Sequence, residues 1–296
     1  MRIALLSDRG VVKVAGETAR DFLNGLVTSD MTKVAPDAPR FAALLTPQGK
    51  IIADFIVVEA SEEDGGGFFL DCPRALAHTL FTRLTMYKLR AKIAIEDLSD
   101  SLSVLAIWDG SGETEYGLVY PDPRLPALGH RAIVPADHAK DAAAEFGAPL
   151  GDLETYEAHR IALAVPRGGA DFAYNDVFPH EADMDQLGGV DFDKGCYVGQ
   201  EVVSRMQHRG TARTRIVAVT FADFAPECGV PVLSGEKTIG IMGSAIRGRG
   251  IAKLRIDRVA DGIEAGAPLT AGGVPITPVK PGWARFDVPP AMQSAS

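Results

Sequence analysis

Eleven glycines and six prolines fall between Pro226 and Trp283, and backbone punctuation that dense leaves room only for short segments. From about Arg215 those segments are β-type, beginning with residues 216–221, which is the pattern of a small β-barrel or sandwich. Upstream, strand-like runs alternate with helical ones. The expected fold class is therefore α+β, with an α+β region over residues 1–214 and a carboxy-terminal β-barrel domain over residues 215–296.

Within the first region, residues 10–14 form a β-type run, and residues 17–24 read as a helix ended by Gly25 in a left-handed cap. Residues 41–45 and 51–58 are apolar runs joined by Thr46-Pro47-Gln48-Gly49-Lys50. That connector predicts a hairpin whose tip carries polar side chains. After Gly65-Gly66-Gly67, a strand over residues 68–70 meets Asp71-Cys72-Pro73, where a capping residue and an early proline predict a helix start. Leu76, Leu80, Leu84 and Tyr87 fall on one stripe of that helix, which assigns Tyr87 to core packing. Further strands are expected over residues 92–96, 104–108 and 117–119, and helices over 137–146 and 152–163. Residues 171–193 hold seven acidic residues and no Lys or Arg, and Pro179 with Gly188-Gly189 makes them a long loop.

Thirty Lys and Arg against 39 Asp and Glu give 296 residues a net charge of −9. This argues against a general nucleic-acid coat or a basic membrane-surface protein, so an anionic partner must meet a local basic patch. Three cysteines without a C-x-x-C pair exclude a disulfide framework or a four-cysteine metal site. Six histidines show no metal-ligand spacing, and no protein-bound structural metal is expected. No apolar run approaches the about 20 residues of a membrane span, and the amino terminus lacks a secretory core. The expectation is a cytoplasmic protein with no membrane and no direct nucleic-acid partner.

The segment Asp193-Lys194-Gly195-Cys196-Tyr197-Val198-Gly199-Gln200-Glu201 carries a thiol and an amine two residues apart, among glycines that let a ligand approach the backbone. If a helix runs from Val198 or Gly199 to Met206, Cys196 lies just before its amino terminus, where positive potential and Lys194 favour the thiolate. A buried, inert thiol is the alternative. Arg205, Arg209, Arg213 and Arg215 follow with no acid between Val202 and Phe221. They either dock an anionic ligand or pair with the acidic loop. Asp54, inside an apolar strand, faces a polar cavity or is hydrogen-bonded at the sheet surface. Gln48 and Lys50 either decorate the hairpin tip or touch a ligand.

The run from Lys194 to Glu201 resembles the K-G-C-[FYV]-x-G-Q-E signature of the YgfZ-type folate-binding proteins, relatives of the glycine-cleavage T-protein. Phe22-Leu23-Asn24-Gly25-Leu26-Val27-Thr28-Ser29-Asp30, the hairpin connector and Arg160-Ile161-Ala162-Leu163-Ala164-Val165-Pro166 resemble the family's other landmarks in the same order. The resemblance covers essentially the whole chain. It implies two intertwined ferredoxin-like subdomains and a barrel around a channel for tetrahydrofolate or a one-carbon derivative. It further implies support for assembly or repair of iron–sulfur enzymes, including one that modifies tRNA, with client enzymes or assembly factors as partners. Cys196 and Lys194 are then the candidate reactive pair. Gly195, Tyr197, Gly199, Gln200, Glu201, Arg205, Asp54 and Gln48 are the candidate folate contacts. His78 stands near the T-protein's catalytic acid and Ala162 in place of its folate-binding glutamate, which weakens the alternative of a one-carbon transferase. A third reading is a binding module in which folate regulates docking.

Overall fold

The computed structural model describes residues 1–210, 212–222 and 224–289. Residue 223 and residues 290–296 of the expected barrel domain lie outside the described residues. Residue proximity divides the chain into two compact units: Met1–Glu157 with Leu187–Val202, and Ala158–Gln186 with Val203 onward.

In the first unit the chain crosses twice between two five-stranded sheets. Arg2–Leu5 lies in one of them, antiparallel to Leu102–Trp108 and parallel to Leu150–Gly151, with His130–Pro135 and Leu118–Pro121 completing the order. Arg9–Ala15 then enters the other, between Phe68–Pro73 and Ala94–Asp97, with Ile51–Glu59 and Arg40–Leu45 beyond. The chain thus leaves the first sheet after one strand, builds the whole second sheet, and returns to finish the first, which is the intertwining expected. Helices Ala19–Asn24 and Arg74–Lys88 belong with the core of the second sheet. Leu80 and Leu84 are fully buried there and Leu76 and Tyr87 pack at the margin, as the stripe predicts. Helix Ala139–Glu145 joins Ile3, Leu105 and Ile107 in the core of the first sheet.

Two local expectations are corrected. Gly25 has φ −76°, an ordinary right-handed value, and its N–H closes the helix onto the Asp21 and Leu23 carbonyls. Asp71-Cys72-Pro73 does not begin a helix: the strand continues to Pro73 and the helix starts at Arg74 without a side-chain cap. Asp71 has stronger partners than the backbone N–H groups of a helix.

Asp71 pairs across the ladder with Val11 and Ile56, while its neighbours Leu70 and Cys72 face the helices. Strand alternation turns its side chain to the opposite face. There Arg9 Nε donates to Asp71 Oδ1 at 2.6 Å, and Arg131 Nη1 and Tyr120 Oη donate to Oδ2 at 2.5 and 3.0 Å. Arg131 Nε also donates to Asp122 Oδ2 at 3.0 Å, and Arg124 Nη2 does so at 2.6 Å. Arg131 lies in the first sheet and Asp122 directly follows a strand of it, while Asp71 lies in the second, so Arg131 ties the two sheets together with charge. Burial pushes the Asp71 carboxyl up, but Arg9 and Arg131 outweigh it and hold it below the ordinary carboxylate range. Asp122 is depressed in the same way by Arg124 and Arg131.

The second unit is built on one antiparallel sheet in the order Val274–Pro275, Leu269–Ala271, Pro231–Ser234, Lys237–Ile246, Arg249–Arg255, Thr214–Thr220, Thr277–Val279. Its two edge strands are separated in the chain by Ile276 alone, so the sheet curls back into a nearly closed barrel. The glycine-rich pattern concealed helix Ile256–Glu264. Gly262 sits inside it because a Cβ there would lie 2.1 Å from Ser234 Oγ, so the residue that reads as a breaker permits close packing on a strand. Residues 158–186 join this unit through Arg160, which donates to Asp171 Oδ2 at 2.7 Å and to Ser244 Oγ at 2.9 Å.

Removing one partner of the buried carboxylate network strands a charge, which costs about 3–5 kcal/mol. Asp71→Asn is expected to lower the unfolding free energy by that amount in urea titrations. The stability supplied by Asp71 and Asp122 is complete above the unfolded carboxyl pKa near ~4 and is lost as pH falls below it. The wild-type chain is therefore expected to lose stability steeply below that pH, and Asp71→Asn to show a shallower slope.

Candidate functional site

The motif loop is fixed by its lysine. Lys194 is buried, and its Nζ donates to the carbonyls of Asn24, Val27 and Ser29 at 2.7, 2.7 and 2.9 Å. All three ammonium hydrogens are thereby used, and the charge also lies 5.0 Å over the Tyr197 ring. Burial draws the ammonium down to about 8, while Asp30 and Asp191 hold it up, so it remains protonated at neutral pH. The geometry gives Lys194 a positioning role: it anchors the loop to residues 24–29.

The anchored segment is itself secured. Thr28 Oγ1 donates to the Gly189 carbonyl at 2.6 Å and accepts from Ala43 N at 2.8 Å, and Asp191 N donates to the Thr28 carbonyl at 3.0 Å. Lys33 Nζ reaches Asp191 Oδ2 at 2.5 Å. Residues 24–30 served the sequence reading only as a family landmark, and Thr28 went unselected. Carbonyl groups that receive an ammonium leave no signature in side-chain identity.

Gly199 has φ +83°, and a Cβ on it would lie 2.6 Å from the Thr46 carbonyl oxygen. Gly49, also at φ +83°, would bring its Cβ within 3.3 Å of the Gly199 carbonyl. Glycine at both positions lets the hairpin connector stack backbone to backbone on the motif. The structure therefore brings the Gln48-bearing tip beside the motif loop, with Gln48 exposed. Asp54 lies further down the same hairpin, 7% exposed, on the sheet face that carries Ile56 and Asp71.

Gly195 and Cys196 are exposed, and nothing lies within 4 Å of a Cβ built on Gly195. Tyr197 is buried, and burial raises its phenol above the ordinary value. Helix Gln200–Arg209 starts later and runs further than the spacing predicts. Cys196 thus stands four residues before the first helical residue, whereas the influence of a helix end fades within about one turn. Gln200 is half-buried, and Glu201 and Arg205 are exposed on this helix.

The arginines after the helix do not form one ligand-facing stripe. Arg215 is buried and donates to Asp185 Oδ1 at 2.7 Å and Asp183 Oδ1 at 3.3 Å, while Arg213 lies 3.9 Å from Asp257. For Arg215 the pairing with the acidic loop is the one realised. His78 is exposed on helix Arg74–Lys88, stacked against Phe81 at 6.1 Å. Among the described residues no three His, Cys, Asp or Glu side chains gather as a metal site, and no helix is long and apolar enough to cross a membrane.

Lys194→Met leaves three carbonyls without their donor and is expected to cost about 2–4 kcal/mol in denaturant unfolding. Cys196→Ser, at an exposed position, is expected to stay within about 0.5 kcal/mol of the wild type. Equal effects of the two substitutions would remove the anchoring role from Lys194.

Comparison with known proteins bears on the fold and the family. Residues 5–110 match the GCVT N-terminal domain and residues 213–286 the CAF17 C-terminal beta-barrel domain. The fold is that of glycine cleavage system aminomethyltransferase T from Bartonella henselae, with a TM-score of 0.75 at 15% identity over 94% of this chain and 84% of that one. The chain is 34% identical over 232 residues to the iron-sulfur cluster assembly factor IBA57 homolog, mitochondrial, of Mycosarcoma maydis, covering 74% of this chain and 57% of the fungal protein. It is 31% identical over 245 residues to the iron-sulfur cluster assembly factor IBA57, mitochondrial, of Homo sapiens, covering 76% and 68%. The aligned part thus amounts to about three fifths of the fungal relatives' length. The mitochondrial names of these relatives overturn the expected cytoplasmic location. Lack of a secretory-type apolar core bears on export alone. With its T-protein fold, its carboxy-terminal barrel and the YgfZ-type motif, the chain belongs to the IBA57 family.

Proposed function

We propose that the chain is an accessory protein of iron–sulfur cluster assembly that binds a reduced folate and works through the exposed Cys196 thiol. The observation that carries this reading is the motif loop itself. Lys194 anchors it by three hydrogen bonds while Gly195 and Cys196 stay open to solvent. A loop whose buried lysine fixes an exposed thiol is organised to present that thiol to another molecule. Membership of a family whose relatives carry the name iron-sulfur cluster assembly factor supports the role.

The side-chain chemistry fits a folate. A pterin presents N–H donors that a carboxylate accepts, and Asp54 is a largely buried carboxylate flanked by the apolar residues 51–53 and 55–58. The amides of Gln48 and Gln200 supply both donors and acceptors, and Arg205 carries a cation suited to a folate's glutamate carboxylate. Tetrahydrofolate would supply a one-carbon acceptor. Gly195, Tyr197, Gly199 and Glu201 complete the set as the loop's backbone, packing and exposed face. Iron–sulfur enzymes or their assembly factors are the partners in this reading, and a tRNA-modifying enzyme is one such client.

Calorimetric titration under anaerobic conditions tests the folate. Saturable binding of tetrahydrofolate or 5-formyltetrahydrofolate at one site is expected, with stabilisation of about 2.7 kcal/mol at about 100 times the dissociation constant. Asp54→Asn is expected to weaken it about tenfold or more. Complementation of a strain lacking the factor tests the thiol: Cys196→Ala should fold, bind folate and fail to restore iron–sulfur enzyme activity. Absence of folate binding would leave the family's fold without its ligand, and full rescue by Cys196→Ala would take the thiol out of the mechanism.

A further inference from the structure

The region from Arg74 to Ile95 holds five cations and no acidic residue in a chain of net charge −9. Arg74 is tied to Ser99 and Asp100. The side chains of Arg83, Lys88, Arg90 and Lys92 make no ion pair or hydrogen bond among the described residues. Four cations are thus collected without partners at one end of helix Arg74–Lys88 and in the residues just after it. Between them stand two large apolar side chains facing solvent, Met86 at 64% exposure and Leu89 at 88%. Leu89 also has φ +44°, a conformation that a bulky residue rarely adopts and that is retained where the surroundings or a function require it. Glu96 and Asp97, both exposed, follow this run directly, and the exposed Glu17 adjoins Gly16, whose backbone approaches that of Lys92.

We infer that this helix end docks on a phospholipid surface bearing anionic headgroups. The charge sign is complementary to such a surface, and the rest of the acidic molecule is repelled from it, so contact is confined to this patch. Long Lys and Arg stems lie along an apolar layer with their charges among the headgroups, while Met86 and Leu89 enter its boundary. This is a peripheral contact and independent of folate binding or of Cys196.

Sedimentation of the full chain with phosphatidylcholine vesicles, with and without about one third phosphatidylglycerol, tests it at low ionic strength. The wild type is expected to bind the anionic vesicles at least about tenfold better and to be released by salt. Each cation near such a surface strengthens binding about fivefold, so Arg83→Gln with Arg90→Gln should weaken it about thirtyfold. Met86→Ser with Leu89→Ser should weaken it several-fold and leave the salt dependence in place. All four positions are exposed, and unchanged thermal unfolding of both variants serves as the control. No binding to anionic vesicles, equal binding to neutral ones, or variants that bind like the wild type would overturn the inference. A patch that serves an acidic protein instead would give the first of these results.

Discussion

The contact between Arg131 and Asp71 holds the amino-terminal half together. A carboxylate in the middle of a sheet is costly unless it is paired and fully hydrogen-bonded. Asp71 meets that demand with Arg9 from its own sheet and with Arg131 and Tyr120 from the other. Because the chain crosses to the second sheet after its first strand and returns to the first after Ala94–Asp97, this charged bridge joins two sheets that are interleaved along the chain. The direction of the Asp71 side chain also decides what Asp71-Cys72-Pro73 becomes: a strand end that faces a guanidinium instead of a helix cap.

The candidate site rests on that frame through a second buried charge. The Arg40–Leu45 and Ile51–Glu59 hairpin, part of the sheet that holds Asp71, presents the connector on which Gly199 stacks. Lys194 then binds three backbone carbonyls of residues 24–29. An ammonium is suited to this because it carries three donors and needs no acceptor geometry of its own. The two residues that follow are left outside, so rigidity and exposure occur within three consecutive positions. That combination, more than the reactivity of any single group, makes the loop suited to presenting a thiol.

Charge is distributed unevenly in this acidic chain, and sequence proximity is a poor guide to where it is neutralised. Arg215, which looks like part of a ligand-binding stripe, is buried against Asp183 and Asp185. Arg83 and Lys88 sit on a helix whose apolar stripe dominates the pattern, and Arg90 and Lys92 follow it directly, yet all four lack partners among the described residues. Whether a cation is available to a ligand depends on the carboxylates the fold brings to it.

The α+β class, the carboxy-terminal barrel, the hairpin at residues 46–50, the core stripe of Leu76, Leu80, Leu84 and Tyr87, and the family, through the motif from Lys194 to Glu201, can all be read from the order of the residues. These are legible because periodicity and turn chemistry are local, and because the motif is contiguous. The tertiary structure decided where Asp71 points, why Gly262 sits inside a helix, which arginine is buried, and what Lys194 does. Each of those depends on atoms distant in sequence: a guanidinium 60 residues from Asp71, a serine hydroxyl under Gly262, and carbonyls about 165–170 positions from Lys194. Backbone carbonyls are the same at every residue, so no reading of side chains distinguishes those that a fold will turn toward a buried ammonium.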